Sequence, residues 1–236
     1  MNLDPNAIAL AVHILFAGLW IGADLGTFLS YRRVLDENLD IPSRKAMAGY
    51  FAWIDMGPRS ALIVMFGLGI YLAFDRGFGF QQDPWRALAI VMMVLSIVWL
   101  VGIWYLHWVQ HPRAGETRSS AHNAAAGTIR KLDIGWRAVV LVFLLVAGVG
   151  TLSSKNPALL DVLGWKMILL AAIVAIGIVM RFVLPSVLGT LGSIFVDGST
   201  PEREAQLKRQ SVPVQLLVFG IWILVMLIIW TSVSNL

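Results

Sequence analysis

The stretch "AVHILFAGLWIGADLGTFLS" (residues 11–30) decides the class of fold. It is apolar enough to cross a bilayer, yet it contains His13 and Asp24. Ionisable groups inside a span are costly unless they face protein or water, so this segment belongs in a helical bundle. The whole chain agrees, because 58% of its residues are hydrophobic and only 14% are charged. Such a composition is typical of integral membrane proteins.

Six segments are long and apolar enough to be membrane spans, since a helix needs about 20 residues to cross the hydrocarbon core. They lie at residues 7–29, 54–74, 87–107, 136–153, 162–184 and 213–233. The second and fourth are short unless their helices begin earlier, in the polar flank. We therefore predict an all-α polytopic bundle of six transmembrane helices. Residues 1–236 would form one integral membrane domain, without a soluble domain.

Lysine and arginine are concentrated in the connections after the first, third and fifth spans. Those connections hold Arg32, Arg33, Arg44, Lys45, Arg113, Arg118, Arg130, Lys131, Arg203, Lys208 and Arg209. The opposite side offers only Arg76, Arg86, Lys155 and Lys166. Positive charge marks the cytoplasmic side, which predicts a multi-pass protein of the bacterial inner membrane with both termini on the outer, periplasmic side. The net charge of +4 then reflects the inner loops and a lipid partner, not nucleic-acid binding.

The chain contains a short internal repeat. A shift of 78 residues places "AMAGYFAWIDMGPR" (46–59) on "AAAGTIRKLDIGWR" (124–137), with six identical residues. The second and third spans therefore correspond to the fourth and fifth, which makes the repeat a parallel one. Both copies carry an aspartate four residues before an arginine, Asp55 with Arg59 and Asp133 with Arg137, and residues at that spacing share a helix face. The pairs either anchor the helices at the interface or have a function.

The first span has two different faces. At about 100° per residue, one stripe contains His13, Ala17, Trp20, Asp24, Thr27 and Tyr31, and the opposite face contains Gly18, Gly22 and Gly26. Small residues at that spacing allow another helix to approach closely. We therefore expect both faces to be covered and the first helix to be central. His13 and Asp24 are either functional or satisfied by interior hydrogen bonds.

Depth sorts the polar groups into two layers. His13 lies in the outer third, where Arg86 and Lys166 open the third and fifth spans. The inner layer contains Asp24, Asp55, Arg59, His107, His111, Asp133, Arg137 and Arg181. His107 is about 30 Å below the outer end of its helix, so His13 and His107 are unlikely partners for one heme by geometry. Outer methionines such as Met93 and Met167 suit copper or a heme as ligands, but methionine is also a common core residue.

The quoted residues resemble known membrane families. "HILFAGLWIG" resembles the first helix of the copper-resistance D (CopD) family, and "GWKMILLAAIVAIGIVMRFVLPSVLG" (164–189) is similar to a later CopD helix. The first four spans also resemble HemJ-type protoporphyrinogen oxidases and the membrane part of cytochrome-linked urate oxidases. The resemblance to the heme-associated relatives implies that His13 is a heme ligand. It also implies an essential basic residue, Lys166 or its repeat partner Arg86.

Three functions remain open from the sequence. The first is a heme b protein with a membrane redox role, in which His13 is the axial ligand and Arg86 and Lys166 face the propionates. The second is a copper-handling permease that uses His13 and the outer methionines Met93 and Met167. The third is a non-catalytic subunit of a respiratory or photosynthetic complex, with other membrane subunits or a cytochrome as partners. The absence of cysteine excludes thiolate metal sites from all three.

Overall fold

The computed structural model describes residues 4–75, 85–112, 116–153 and 158–234, and every regular element in these ranges is helical. Arg76, Arg113 and Lys155, which the orientation argument counts, lie outside the described residues. The elements are α1 (Pro5–Val34), α2 (Ile41–Ile54), α3 (Met56–Asp75), α4 (Trp85–Gln110), α5 (Ser120–Ser153), α6 (Ala158–Asp197) and α7 (Pro201–Val233).

Six of the described helical segments are long and apolar enough to cross a membrane, which confirms the prediction of six spans. The second span consists of α2 and α3 together, and the fourth is α5, so both do begin in the polar flank, at Ile41 and Ser120. α5, α6 and α7 have 34, 40 and 33 residues, or about 50 to 60 Å at 1.5 Å per residue. They are therefore longer than the hydrocarbon core of about 30 Å requires. The side on which the termini lie, and the internal repeat, stay predictions.

The second span is interrupted at Asp55, where α2 ends and α3 begins. Pro58 explains the interruption, because proline has no N–H to donate to the carbonyl of Ile54 four residues before it. In the predicted repeat the residue aligned with Pro58 is Trp136, and α5 continues through it without a break. Within the predicted repeat, Pro58 would account for the interruption in one segment and its absence from the other.

The chain divides into two compact units. The first unit contains residues 1–27 and 52–135, and the second contains residues 28–51 and 136–236. In the first unit, neighbouring residues occupy the space that a side chain would need at two glycines. A Cβ atom on Gly57 would lie 2.7 Å from the Cβ of Ala23, and one on Gly67 would lie 3.2 Å from the Cβ of Ser96. Small residues therefore let α1 approach the start of α3, and let α3 approach α4.

Two features organise the second unit. The first is a helix crossing at which a Cβ on Gly148 would lie 3.0 Å from the carbonyl oxygen of Gly164, and one on Gly164 would lie 3.1 Å from that of Gly148. The backbones of α5 and α6 are thus in direct contact. The second is the hairpin of α6 and α7, in which Gly198 (φ +93°) ends α6 and the side chain of Thr200 caps α7.

The polar end of this hairpin packs against the end of α1 and against α2. We call this part of the second unit, residues 31–51 and 187–214, the helical head. Its buried core consists of Tyr31, Val34, Val187, Leu191, Ile194, Leu207 and Val214. Asp40 directly precedes α2, and its carboxylate accepts a hydrogen bond of 3.0 Å from the backbone N–H of Ser43. Hydrogen bonds from the Ser43 side chain and backbone hold the pKa of Asp40 below its usual value.

The structure corrects the prediction for the first helix. Its polar stripe does face protein, because Trp20, Thr27 and Tyr31 are buried. The prediction that the glycine face is covered is wrong for Gly18 and Gly22, since no atom of the described residues lies within 4 Å of a Cβ on either. The central position is also wrong, because 11% of the apolar window of α1 is buried, compared with 39% for the second and fourth spans.

Candidate functional site

An apolar groove lies in the first unit between α1, α3 and α4. Its volume is about 580 Å³, within the range of small-molecule and cofactor sites. Most of the lining side chains are aliphatic, and the polar ones are few. The lining consists of Pro5, Ile8, Ala9, Val12, Ile63, Val64, Gly67, Leu68, Tyr71, Met93, Ser96, Ile97 and Leu100. A site with such walls can take a flat or chain-like apolar molecule.

One end of the groove is polar. There the hydroxyl of Tyr71 donates a hydrogen bond of 2.8 Å to the side-chain oxygen of Asn6. Arg86, on the first turn of α4, is exposed, and its guanidinium carbon lies 5.9 Å from the ring centroid of Phe74. Ser96, deeper in the groove, donates its hydroxyl to the carbonyl of Met92 at 2.8 Å. The groove thus has an amide–phenol pair at one end and apolar walls, and the contact of Arg86 with Phe74 lies one turn of α3 beyond Tyr71.

His13 lies on α1 one turn after the groove residue Ala9. It is half-buried, and its Cε1 atom would lie 3.6 Å from a Cβ on Gly69 of α3. The glycine therefore leaves room for the imidazole between the two helices. His13 is not one of the residues that line the groove, although it directly follows the lining residue Val12 in the chain.

The other predicted ligands are divided between the units. Met93 is in the first unit and lines the groove. Lys166 and Met167 are on α6 in the second unit, where Lys166 is half-buried and Met167 is buried against Gly148. The sequence analysis left two roles open for Met167, a ligand or a core residue. Its contact with Gly148 is that of a core residue. No group of three or more His, Asp or Glu residues that could hold a metal ion occurs in the described ranges.

The inner polar cluster is partly assembled in the first unit, at the start of α3 and the end of α4. Asp55, at the break between α2 and α3, and Arg59, on the first turn of α3, form the predicted ion pair. His107 is stacked on His111, with ring centroids 4.5 Å apart, and Trp53 meets His107 edge to face at the same distance. The structure therefore places both histidines in an aromatic cluster, in which His107 is buried and His111 is exposed.

His107 is the most enclosed member of this cluster, with 5% of its surface exposed. Its Nε2 atom has no hydrogen-bond partner among the described residues. Buried polar groups without a partner are uncommon in folded proteins. His111 differs, since its Nδ1 lies 3.1 Å from the carbonyl oxygen of His107.

The remaining members of the predicted inner cluster lie on other helices. Asp133, on α5 in the first unit, is buried and accepts a hydrogen bond of 2.7 Å from the indole N–H of Trp99. Asp24, also in the first unit, is half-buried on α1. In the second unit, Arg137 is buried near Gly177, and Arg181 is half-buried on α6.

No family model, curated protein or solved structure matches this chain. The CopD-like and HemJ-like resemblance therefore stays a prediction that rests on the quoted motifs. What the chain does has to be argued from its own residues.

The structure also reveals an ion pair that sequence reasoning missed. In the helical head, Nη1 and Nη2 of Arg44 donate to the carboxylate of Glu204 at 2.6 and 3.2 Å, and Nε donates to the carbonyl of Val34 at 2.8 Å. The side chains of Arg44 and Glu204 are 1% and 6% exposed. Ser199 donates a further hydrogen bond of 2.6 Å to Glu204. The segment "DGSTPERE" (197–204) indicates a turn between two helices, but nothing in it identifies Arg44 as the partner of Glu204.

Proposed function

We propose that this integral membrane protein binds heme b in a membrane redox role, in the bacterial inner membrane with both termini outside. The single observation that carries the proposal is the apolar groove of the first unit, whose lining residue Val12 directly precedes His13 in the chain. A heme needs an axial ligand, flat apolar walls and positive charge near its propionates. Each of these has a candidate within one compact unit.

His13 is the candidate axial ligand, since it lies one turn from Ala9 and Gly69 leaves space around its ring. Arg86 is the candidate partner for the propionates, because it is exposed and contacts Phe74, one turn of α3 beyond the groove residue Tyr71. Bound heme would supply one-electron chemistry, and the protein would hold it and exclude water from its faces. Lys166 is in the second unit and is not part of this proposed site.

The test is the absorption spectrum of the protein purified from cells that make heme. We expect a Soret band in the parent, its loss in His13→Ala, and its retention in the control His122→Ala, because His122 lies outside the groove on the first turn of α5. Ala9→Phe should also reduce heme content, since it fills the groove from the α1 wall. A parent without heme, or His13→Ala with its full complement, would contradict the proposal.

A second candidate function is that of a non-catalytic subunit of a larger membrane complex. It is favoured by the polar groups that satisfy one another inside the protein, such as Asp55 with Arg59 and Trp99 with Asp133. Under this function His13 only positions α1 against α3. Absence of heme from the parent, together with co-purification of other membrane subunits, would support it.

A further inference from the structure

Each arm of the α6–α7 hairpin contains a proline inside a continuous helix. Pro185 lies in α6 and Pro213 lies in α7, and both are exposed. These positions coincide with the edges of the predicted spans, which end at residue 184 and resume at residue 213. The helical head therefore begins at the same point on both arms where the prolines occur.

Contacts on either side show that the two prolines lie at the same level of the hairpin. On the head side, Thr190 donates a hydrogen bond of 2.8 Å to the side chain of Gln210. On the other side, a Cβ on Gly220 would lie 3.4 Å from the Cδ1 of Ile176. In an antiparallel pair with this register, residue 185 is opposite residue 213.

Each proline weakens its helix in the same way. Without an N–H, Pro185 cannot bond to the carbonyl of Arg181, and Pro213 cannot bond to that of Arg209. A serine close to each proline bonds back to its own helix. Ser186, directly after Pro185, donates to the carbonyl of Val183 at 2.8 Å, and Ser211, two residues before Pro213, donates to that of Lys208 at 2.8 Å. Such back-bonding hydroxyls compete with the helical ladder and favour bending.

The parts beyond the prolines are tied together more firmly. The head has its own buried core, and the Arg44–Glu204 ion pair connects α2 to α7 inside it. α1 also enters the head, at Tyr31, as a continuous helix. The head thus has its own core, and two of the helices that continue from it, α6 and α7, lack a backbone hydrogen bond at the same level.

We propose that the level of Pro185 and Pro213 is a hinge about which the helical head tilts relative to the apolar parts of α6 and α7. Proline kinks exceed about 20°. A tilt of that size would move residue 196, about 16 Å along α6 from Pro185, by about 6 Å.

Distances between paired spin labels test the hinge, and the absence of native cysteine makes labelling specific. One label is placed at Val196→Cys in the head, which is 85% exposed, and the other at Val142→Cys on α5, which is 59% exposed. The control pair joins Val142→Cys to Phe182→Cys, which lies before the hinge on α6. In the full-length protein in nanodiscs, we expect the head pair to have a distance distribution broader than the control pair by about 6 Å.

Pro185→Ala combined with Pro213→Ala should narrow the head distribution to the width of the control, because both helical hydrogen bonds become possible. Each single variant should narrow it in part, so the test does not depend on the double variant alone. A head distribution as narrow as the control in the parent would overturn the hinge. A shifted but equally narrow distribution would also overturn it, since it would indicate a fixed bend.

Discussion

At the scale of single residues, Arg44 is a buried charge with several hydrogen-bond partners. Its donors go to Glu204 and to the carbonyl of Val34, and Glu204 also accepts from Ser199. A buried pair of this kind is held by geometry, because desolvation offsets much of its Coulomb attraction. What matters energetically is the cost of leaving one partner alone.

We predict that Glu204→Gln destabilises the protein by about 3–5 kcal/mol, because it leaves the Arg44 charge buried without a counter-charge. The matched control is Glu37→Gln, which removes an exposed ion pair with Lys208 and should cost less than about 1 kcal/mol. Unfolding midpoints in detergent measure both. Equal midpoints for the two variants would show that the buried pair has no special role in stability.

At the scale of helices, close packing depends on which glycines face a neighbour. Gly148 and Gly164 bring the backbones of α5 and α6 together, whereas Gly18 and Gly22 on α1 face nothing within 4 Å in the described ranges. Small residues at this spacing show that another helix can approach closely. They do not show that another helix does so.

We therefore predict opposite effects for two similar substitutions. Gly148→Ala should destabilise by about 1–3 kcal/mol, because its Cβ would be 2.9 Å from Ile168 Cγ1 and close to a backbone oxygen that cannot move aside. Gly22→Ala should be neutral or stabilising by up to about 1 kcal/mol, since alanine favours the helix. Thermal midpoints of the purified variants decide the matter. A drop for Gly22→Ala would reveal a neighbour at that face.

The same distinction explains what could be predicted from the sequence. The six spans follow from hydropathy, which each segment carries by itself, and the Asp55–Arg59 pair follows from spacing within one span. The hydrogen bond from Trp99 to Asp133 joins different helices, so it cannot be predicted from the residues of either helix alone. For the candidate site, the sequence pointed to His13, but the groove requires the arrangement of three helices.

At the scale of the whole molecule, six spans return the chain to the side on which it began. The distribution of Lys and Arg predicts that this side is the outer one. α5, α6 and α7 are longer than the bilayer requires. Their additional turns extend toward the connections that carry most of the Lys and Arg residues. The helical head would then lie on the cytoplasmic side.

We predict that alkaline phosphatase fused after the last residue is active, because it would be exported to the periplasm. The same reporter inserted after Asn38, in the connection between α1 and α2, should be inactive. Enzyme activity in intact cells, normalised to the amount of fusion protein, measures both. Activity at Asn38 and none at the C-terminus would reverse the orientation.

The ion pair in the helical head also has a consequence for the order of events during synthesis. Arg44 and Glu204 are 160 positions apart in the chain. At a ribosomal rate of about 5–20 residues per second, Arg44 waits about 10–30 s before its carboxylate is made. During that interval four further spans must be inserted while the guanidinium stays hydrated. The head is therefore among the last parts to assemble, and a chain cut short before α7 exposes an unmatched arginine and an open apolar core to the proteases that remove unfinished proteins.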